Sequence, residues 1–317
     1  MTQILAVTAP IYILIAVGFF AVRSGLLSKA DNQGLGRFVL YFCVPPLLFR
    51  AFAQRKLGDV VNFPFLATYA AGSLTVLLIG LVYARRVRGN AMPASAMQAM
   101  GMCSSNSAFV GYPIALQILG PTAGVALALC TLVENLLTMP LCLALAESGD
   151  RSRWRQALAQ SLKGLAKNPM IMGIVAGILY SAPNVHLPAF IESTIQLVAT
   201  AASPVALFVI GGSLVGLKLA GQRTDIATVA IGILILHPAA VLCALWLMPA
   251  TDPALMVAAV IFSAMPMLSI YPVLGQRYGL DGFCAAALLA TTILSFFTIS
   301  TLLWAQKAYP AVFAGAG

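Results

Sequence analysis

Few residues of this chain could do chemistry, and most of those lie inside long apolar segments. Glu134, in Thr131-Leu-Val-Glu134-Asn135-Leu-Leu, is the only carboxylate placed deep within such a segment. An ionisable group in hydrocarbon is expensive and is a functional candidate by default. Desolvated there, Glu134 could carry a proton. The alternative is a structural hydrogen bond to a neighbouring helix or to backbone freed around Pro113. His237 stands before Pro238 in another apolar run. It reads either as a proton relay or as a neutral imidazole capping a proline-broken helix. A third group is polar and uncharged: Ser104, Ser105, Asn106 and Ser107, just ahead of Gly111-Tyr112-Pro113. Enzymatic signatures are missing, with no HExxH, GxSxG, Walker loop or aspartate-rich diphosphate motif in the chain. Two histidines and one deep carboxylate are a poor set for membrane hydrolysis or prenyl transfer, so no enzyme is expected.

The elements that must position these groups are marked by a pattern that occurs twice. Tyr112-Pro113-Ile-Ala-Leu-Gln117-Ile-Leu-Gly120 reads YPxxxQxxG, as does Tyr271-Pro272-Val-Leu-Gly-Gln276-Arg-Tyr-Gly279, 159 residues later. The same ungapped offset pairs Pro10 with Pro169, Gly18 with Gly177, Pro45 with Pro204, Leu48 with Leu207 and Phe49 with Phe208. Landmarks aligned in three separate segments point to an internal duplication. Each copy lies in an apolar segment that proline should interrupt, by removing a backbone donor and crowding the carbonyl four residues earlier. In the first copy that carbonyl is Phe109's, and Gly111 permits unusual backbone angles. The second copy holds two prolines, in Ser263-Ala-Met-Pro266-Met-Leu-Ser269-Ile-Tyr-Pro272. Broken membrane helices at corresponding places in two halves point to a transporter's binding site. The bland alternative is a pair of proline kinks that only shape the bundle.

Bulk composition agrees with membrane segments. Hydrophobic residues make up 61% of the chain and charged ones 9%, with a mean hydropathy of +0.95. A soluble domain carries about 25% charged residues, so this chain is expected to be an integral membrane protein. A span needs about 20 mostly apolar residues. Ten are expected, at about 4–22, 35–53, 62–84, 92–118, 122–146, 168–186, 190–215, 226–249, 254–276 and 282–306. The N-terminus lacks the basic region of a cleaved signal and is read as a first span. With that end outside, 14 of the 18 Lys+Arg fall in cytoplasmic loops, leaving Arg50, Arg55, Lys56 and Lys307 outside. The positive-inside rule thus places both termini outside the cytoplasm. Net charge of +9 is explained by these orientation signals and not by nucleic acid. The expected division is a first five-helix repeat over 1–147, a cytoplasmic linker over 148–167, and a second, inverted five-helix repeat over 168–317. An odd number of spans per repeat turns the second half over, so the broken fourth and ninth spans run antiparallel and enter the membrane from opposite faces.

Where two breaks meet at mid-membrane, half-helix N-termini present N–H groups and a positive dipole end to an anion. The candidate substrate-binding set is therefore Asn106, Ser107, Gly111, Tyr112 and Pro113 from one break, with Pro266, Ser269, Tyr271 and Pro272 from the other. Glu134 and His237 are the candidates for ion or proton coupling. Arg50, with Arg55 and Lys56, reads either as side chains snorkelling to the outer interface or as an outer vestibule that attracts anions. Clusters such as Ala70-Ala-Gly-Ser73 and Ile210-Gly-Gly-Ser213 read as close helix packing. All six cysteines lie in apolar segments without paired spacing, so neither disulfide, metal nor cofactor is expected.

The run Asn106…Gly111-Tyr112-Pro113…Gly120, the segment Ala264-Met-Pro266…Tyr271-Pro272-Val-Leu-Gly-Gln-Arg-Tyr-Gly279 and the Asn168-Pro169 opening resemble the auxin efflux carrier family. The resemblance covers nearly the whole chain. It implies an all-α membrane fold of ten transmembrane helices in two inverted repeats, similar to sodium/proton antiporters and bile-acid symporters. It also implies a scaffold of spans 1, 2, 6 and 7, often dimeric, and a mobile domain of spans 3–5 and 8–10. Family members move organic anions such as auxin, malonate or malate. Asn106 and Pro113 match the first crossover, and Pro266 and Pro272 the second. Ser269 and Ile270 stand where some relatives place asparagine. The long cytoplasmic loop of many plant members is absent.

The expected function is secondary transport of small organic anions, mono- or dicarboxylates, by an elevator-type mechanism in a bacterial inner membrane. Expected partners are the anion, a proton or sodium ion, lipid and a second copy of the chain. The alternatives are a cation/proton antiporter of the related fold, which would carry an aspartate pair on the broken helices, and a transporter-like ligand sensor.

Overall fold

The computed structural model describes residues 2–53, 62–148, 164, 167–181, 187–217, 223–248 and 252–313. Most of the expected linker, and Arg55, Lys56, Arg151, Arg153, Arg155, Lys163 and Lys218, lie outside the described residues. The described chain is all-helical, and its single β feature is an isolated bridge between Ser105 and Met267. In order, the helices are α1 (Thr2–Arg23), α2 (Lys29–Ala53), α3 (Phe63–Val87), α4 (Met92–Cys103), α5 (Ser107–Leu119), α6 (Thr122–Ala146) and α7 (Pro169–Tyr180). They continue as α8 (Ala189–Ser213), α9 (Arg223–Leu247), α10 (Pro253–Ser263), α11 (Tyr271–Gln276), α12 (Asp281–Ala308) and α13 (Pro310–Phe313). Among the described residues six helices are long and apolar enough to cross a membrane: α2, α3, α6, α8, α9 and α12. Residues 9–23 of α1, with α5, α7 and α10, form shorter apolar helices. Each of the ten segments read from the sequence holds helix, but the fourth and ninth are each split in two.

The starts of these helices follow from capping. The Ser28 hydroxyl accepts from the Asp31 N–H and the Asp31 carboxylate accepts from the Ser28 N–H, a reciprocal box that begins α2. Asn62, Asn168 and Asp252 each accept a first-turn N–H and begin α3, α7 and α10.

Proline acts differently from expectation. Wide π turns occupy Val39–Cys43, Tyr83–Val87, Ser107–Gly111, Glu134–Thr138 and Gly232–Leu236, and all except that at Tyr83–Val87 are followed at the second residue by proline: Pro45, Pro113, Pro140 and Pro238. Widening the turn moves the crowded carbonyl off the ring, and the helix runs on. Pro113 and Pro238 therefore do not break their helices. The glycine that closes the repeated pattern does end one: Gly120 has φ +57° and Gly279 φ +67°, backbone that side chains disfavour.

Packing between the two halves is close because glycine removes the side chain. α1 lies along α8, with Gly18 against the Phe208 carbonyl and Gly211 against the Ile15 carbonyl. α7 lies along α2, where a Cβ on Gly177 would come within 2.5 Å of the Phe49 carbonyl oxygen. Gly18 and Gly177 correspond under the 159-residue offset, and so do Phe49 and Phe208. The two contacts are thus one contact made twice, with roles exchanged between the halves. At one end of the bundle Arg88 of the chain after α3 pairs with Asp225 of α9 at 2.9 Å. The Tyr278 hydroxyl donates to Glu147 at 3.1 Å. Burial, the largest cause, pushes that phenol up to about 12, so it stays protonated as the donor.

Candidate functional site

Two irregular segments cross in the core. α4 stops at Cys103 because Ser104 turns to extended backbone (φ −114°, ψ 98°), and α5 restarts after Asn106. Asn106 is its cap, with the side-chain oxygen accepting from the Phe109 N–H at 3.3 Å. The break therefore lies at Ser104–Asn106, upstream of Pro113. In the other half α10 ends at Ser263 and α11 begins at Tyr271, with Pro272 in its first turn, where fixed φ favours helix. Here Pro266 lies within the break itself, as the sequence suggests.

Each break satisfies the other's backbone. The Asn106 N–H donates to the Pro266 carbonyl at 2.8 Å, and the Leu268 N–H donates to the Ser104 carbonyl at 3.3 Å. Irregular backbone at membrane depth is tolerated only inside protein or beside water, and an unpaired buried peptide group is costly. The Asn106 side-chain amide adds a bond to Ser269 Oγ at 2.7 Å.

Two ionisable side chains flank this crossing. Glu134 opens the π turn of α6 and is buried. Its Oε1 accepts from Ser107 Oγ at 2.6 Å and from the Tyr69 hydroxyl at 3.0 Å. Two donors converging on one oxygen can hold a carboxyl group in place in either protonation state. His237, fully buried on α9, has Nε2 at 2.9 Å from Ser73 Oγ and Nδ1 at 3.5 Å from Ser105 Oγ. Tyr69 links the two groups, since its ring lies 5.8 Å from the imidazole. Ser105 in turn donates to the Ser263 carbonyl at 3.4 Å. The result is one buried polar layer drawn from α3, α6, α9 and both breaks.

The structure brings Asn106, Ser107, Pro266 and Ser269 together with Glu134 at the crossing, and His237 on its flank. Gly111 lies beneath the Phe262 ring, where a Cβ would come within 2.7 Å of Cδ1. Tyr271 turns away: it is buried and donates to the Met97 carbonyl at 2.7 Å, bracing α11 against α4. Tyr112 faces elsewhere again, onto a cavity of about 300 Å³ between α2, α5, α6 and α8 that Arg50 also lines. Pro113 follows the π turn of α5, Pro272 sits in the first turn of α11, and both serve the path of the chain.

Sequence reasoning missed Tyr69 and Ser73. Ser73 reads as a packing residue in a small-residue run, yet its hydroxyl meets His237. No local signal marks Tyr69. The place of the first break had one: Asn106 after two serines is a helix-start signal.

A family model described as "Membrane transport protein" matches residues 3–304. The chain is 27% identical over 312 residues to a Rhizobium meliloti (strain 1021) protein named "Putative malonate transporter", with 96% of each chain covered. It is 24% identical over 307 residues to "Uncharacterized transporter MJ1031" of Methanocaldococcus jannaschii, covering 93% of this chain and 96% of that one. A 26% identity over 221 residues relates 64% of this chain to 25% of the Mus musculus "Lysosomal cholesterol signaling protein".

Proposed function

We propose that this chain, which belongs to the Membrane transport protein family of auxin efflux carriers, carries small organic anions across a bilayer by alternating access. It is a transporter, not an enzyme. The substrates are mono- or dicarboxylates, a class supported by the relative named for malonate. The single observation that carries this reading is the crossing of the two breaks, where the Asn106 N–H meets the Pro266 carbonyl and the Asn106 side-chain amide meets Ser269, with Ser107 next to them at the start of α5. Asn106 keeps one amide N–H beyond the bond to Ser269, and α5 adds its positive end. Glu134, already gripped by Ser107, is the coupling group, with His237 second.

The working architecture is ten spans in two inverted five-helix repeats, 1–147 and 168–317, joined by the linker 148–167. The exchanged contacts of Gly18 with Phe208 and Gly177 with Phe49 support it. In it α1, α2, α7 and α8 form the scaffold, dimeric in the membrane, and α3–α6 with α9–α12 move as an elevator. The proposed setting is a bacterial inner membrane, and the distribution of Lys+Arg supports an orientation with both termini outside the cytoplasm.

The test is thermal stabilisation of purified protein by a panel of small carboxylates, with and without sodium and at two pH values. Ligands that bind the folded state raise its apparent stability by mass action. Stabilisation by one carboxylate, lost in Asn106→Ala, is the expected result. A response to sodium alone would favour the cation/proton antiporter, whose aspartate pair this crossing lacks. A ligand sensor is a second reading, favoured by the likeness to a protein named for signalling. It predicts binding without measurable flux in proteoliposomes.

A further inference from the structure

We propose that the cavity between α2, α5, α6 and α8 is a carboxylate-binding subsite separate from the crossing, with Arg50 as the residue that reads the substrate's charge. The inference rests on the organic-anion reading above and adds to it a cation that the crossing does not contain. Arg50 is half-buried in an apolar segment and lines the cavity together with Tyr112. Among the described residues it has neither an ion-pair nor a hydrogen-bond partner, whereas Arg88 meets Asp225 at 2.9 Å. A guanidinium is always charged and offers five donors in a planar fork that matches a carboxylate. Held partly out of water without an anion, it is costly, and such groups are paired as a rule.

The rest of the lining fits the same ligand. Tyr112 and Ser203 also line this cavity, and neither hydroxyl has a hydrogen-bond partner among the described residues, so both are free to donate. Leu47, Leu116 and Pro121 supply apolar wall. A volume of about 300 Å³ admits a small organic acid, at the lower end of ordinary ligand sites. Apolar walls beside a single cation favour a carboxylate with a hydrocarbon body over a strongly hydrated inorganic anion. The cavity and the crossing share α5: Tyr112 lines one, and Ser107 at the start of the same helix belongs to the other. An anion held by Arg50 therefore touches the element that carries the coupling carboxyl's partner. Snorkelling to an interface explains Arg50 by its length alone, but gives no reason for two unpartnered hydroxyls beside it.

The experiment titrates the purified full chain in detergent with malonate, butyrate and sulfate, reading thermal stabilisation. In wild type both carboxylates should stabilise and sulfate should not. Arg50→Gln should weaken both carboxylates at least about tenfold, and Arg50→Lys should fall between, keeping the charge but losing the fork. Binding by Arg50→Gln within about twofold of wild type overturns the proposal, as does equal stabilisation by sulfate. If Arg50→Gln does not fold, Arg50→Lys and Ser203→Ala decide, and unchanged affinity in both overturns it. If Asn106→Ala weakens carboxylate binding while the Arg50 variants do not, this subsite falls and the anion reading stands. If no carboxylate stabilises wild type, both fall.

Discussion

The side-chain amide of Asn106 donates to the hydroxyl of Ser269 at 2.7 Å, tying together two chain breaks 163 residues apart. The backbone bonds of the crossing, from Asn106 N–H to Pro266 and from Leu268 N–H to Ser104, do not depend on that side chain. Asn106→Ala should therefore fold. It loses the cap on the Phe109 N–H, a cost of about 1 kcal/mol, and the amide proposed to hold the substrate. Carboxylate affinity measured by thermal shift should fall by about tenfold or more, and unchanged affinity would remove Asn106 from the site.

Glu134→Gln tests coupling. The amide keeps the shape and an acceptor oxygen for Ser107 and Tyr69 but stays neutral at every pH. If the neutral acid is the form that accompanies the anion, wild-type uptake rises as pH falls through the carboxyl's titration. The Gln variant should then show a flat profile in proteoliposomes, near the wild-type level at low pH. A variant that keeps the wild-type slope excludes Glu134 as the proton carrier.

His237→Gln should separate support from relay. Its ring touches Ser73 and Ser105, and losing one of these buried bonds costs about 1–3 kcal/mol. The expected outcome is a lower melting temperature with the pH profile of uptake intact. Loss of that profile would make His237 part of the proton path.

Gly18→Ala and Gly177→Ala should be damaging to a similar degree, since each Cβ would strike backbone of the partner helix, at Phe208 or Phe49. Overpacking of this kind costs about 1–3 kcal/mol. Gly34→Ala, whose Cβ would meet nothing within 4 Å, is the control and should leave the melting temperature unchanged or raise it. Equal behaviour of all three would mean that the close helix contacts contribute little.

The parts of this protein legible in its sequence are those written twice. The 159-residue offset pairs Gly18 with Gly177 and Phe49 with Phe208, and these residues meet crosswise in the structure. Polar side chains ahead of Gly111 and the doubled proline of the second half point to the crossing. Proline itself misleads at Pro113 and Pro238, because a π turn two residues upstream accommodates the ring and the helix continues. Tyr69 and Ser73 are illegible for a different reason. Their partners are set by which face of α3 meets α6 and α9, and that rotation is a property of packing with no local residue pattern. Tyr271 is the converse case, a repeated landmark whose hydroxyl serves only to brace α4.

The exchanged glycine contacts have the form of an isologous interface, in which residue i meets j and j meets i, yet both partners are one polypeptide. Each half carries a socket, Gly18 or Gly177, and the matching ridge, Phe49 or Phe208. A surface of that kind is self-complementary, the geometry by which two separate copies of a single half would associate as a two-fold symmetric pair. Joining the halves turns such a bimolecular encounter into an intramolecular one, set by a local effective concentration in place of the density of protein in the bilayer. It also frees each half to diverge, so that Asn106 and Met265, equivalent under the offset, no longer share a role.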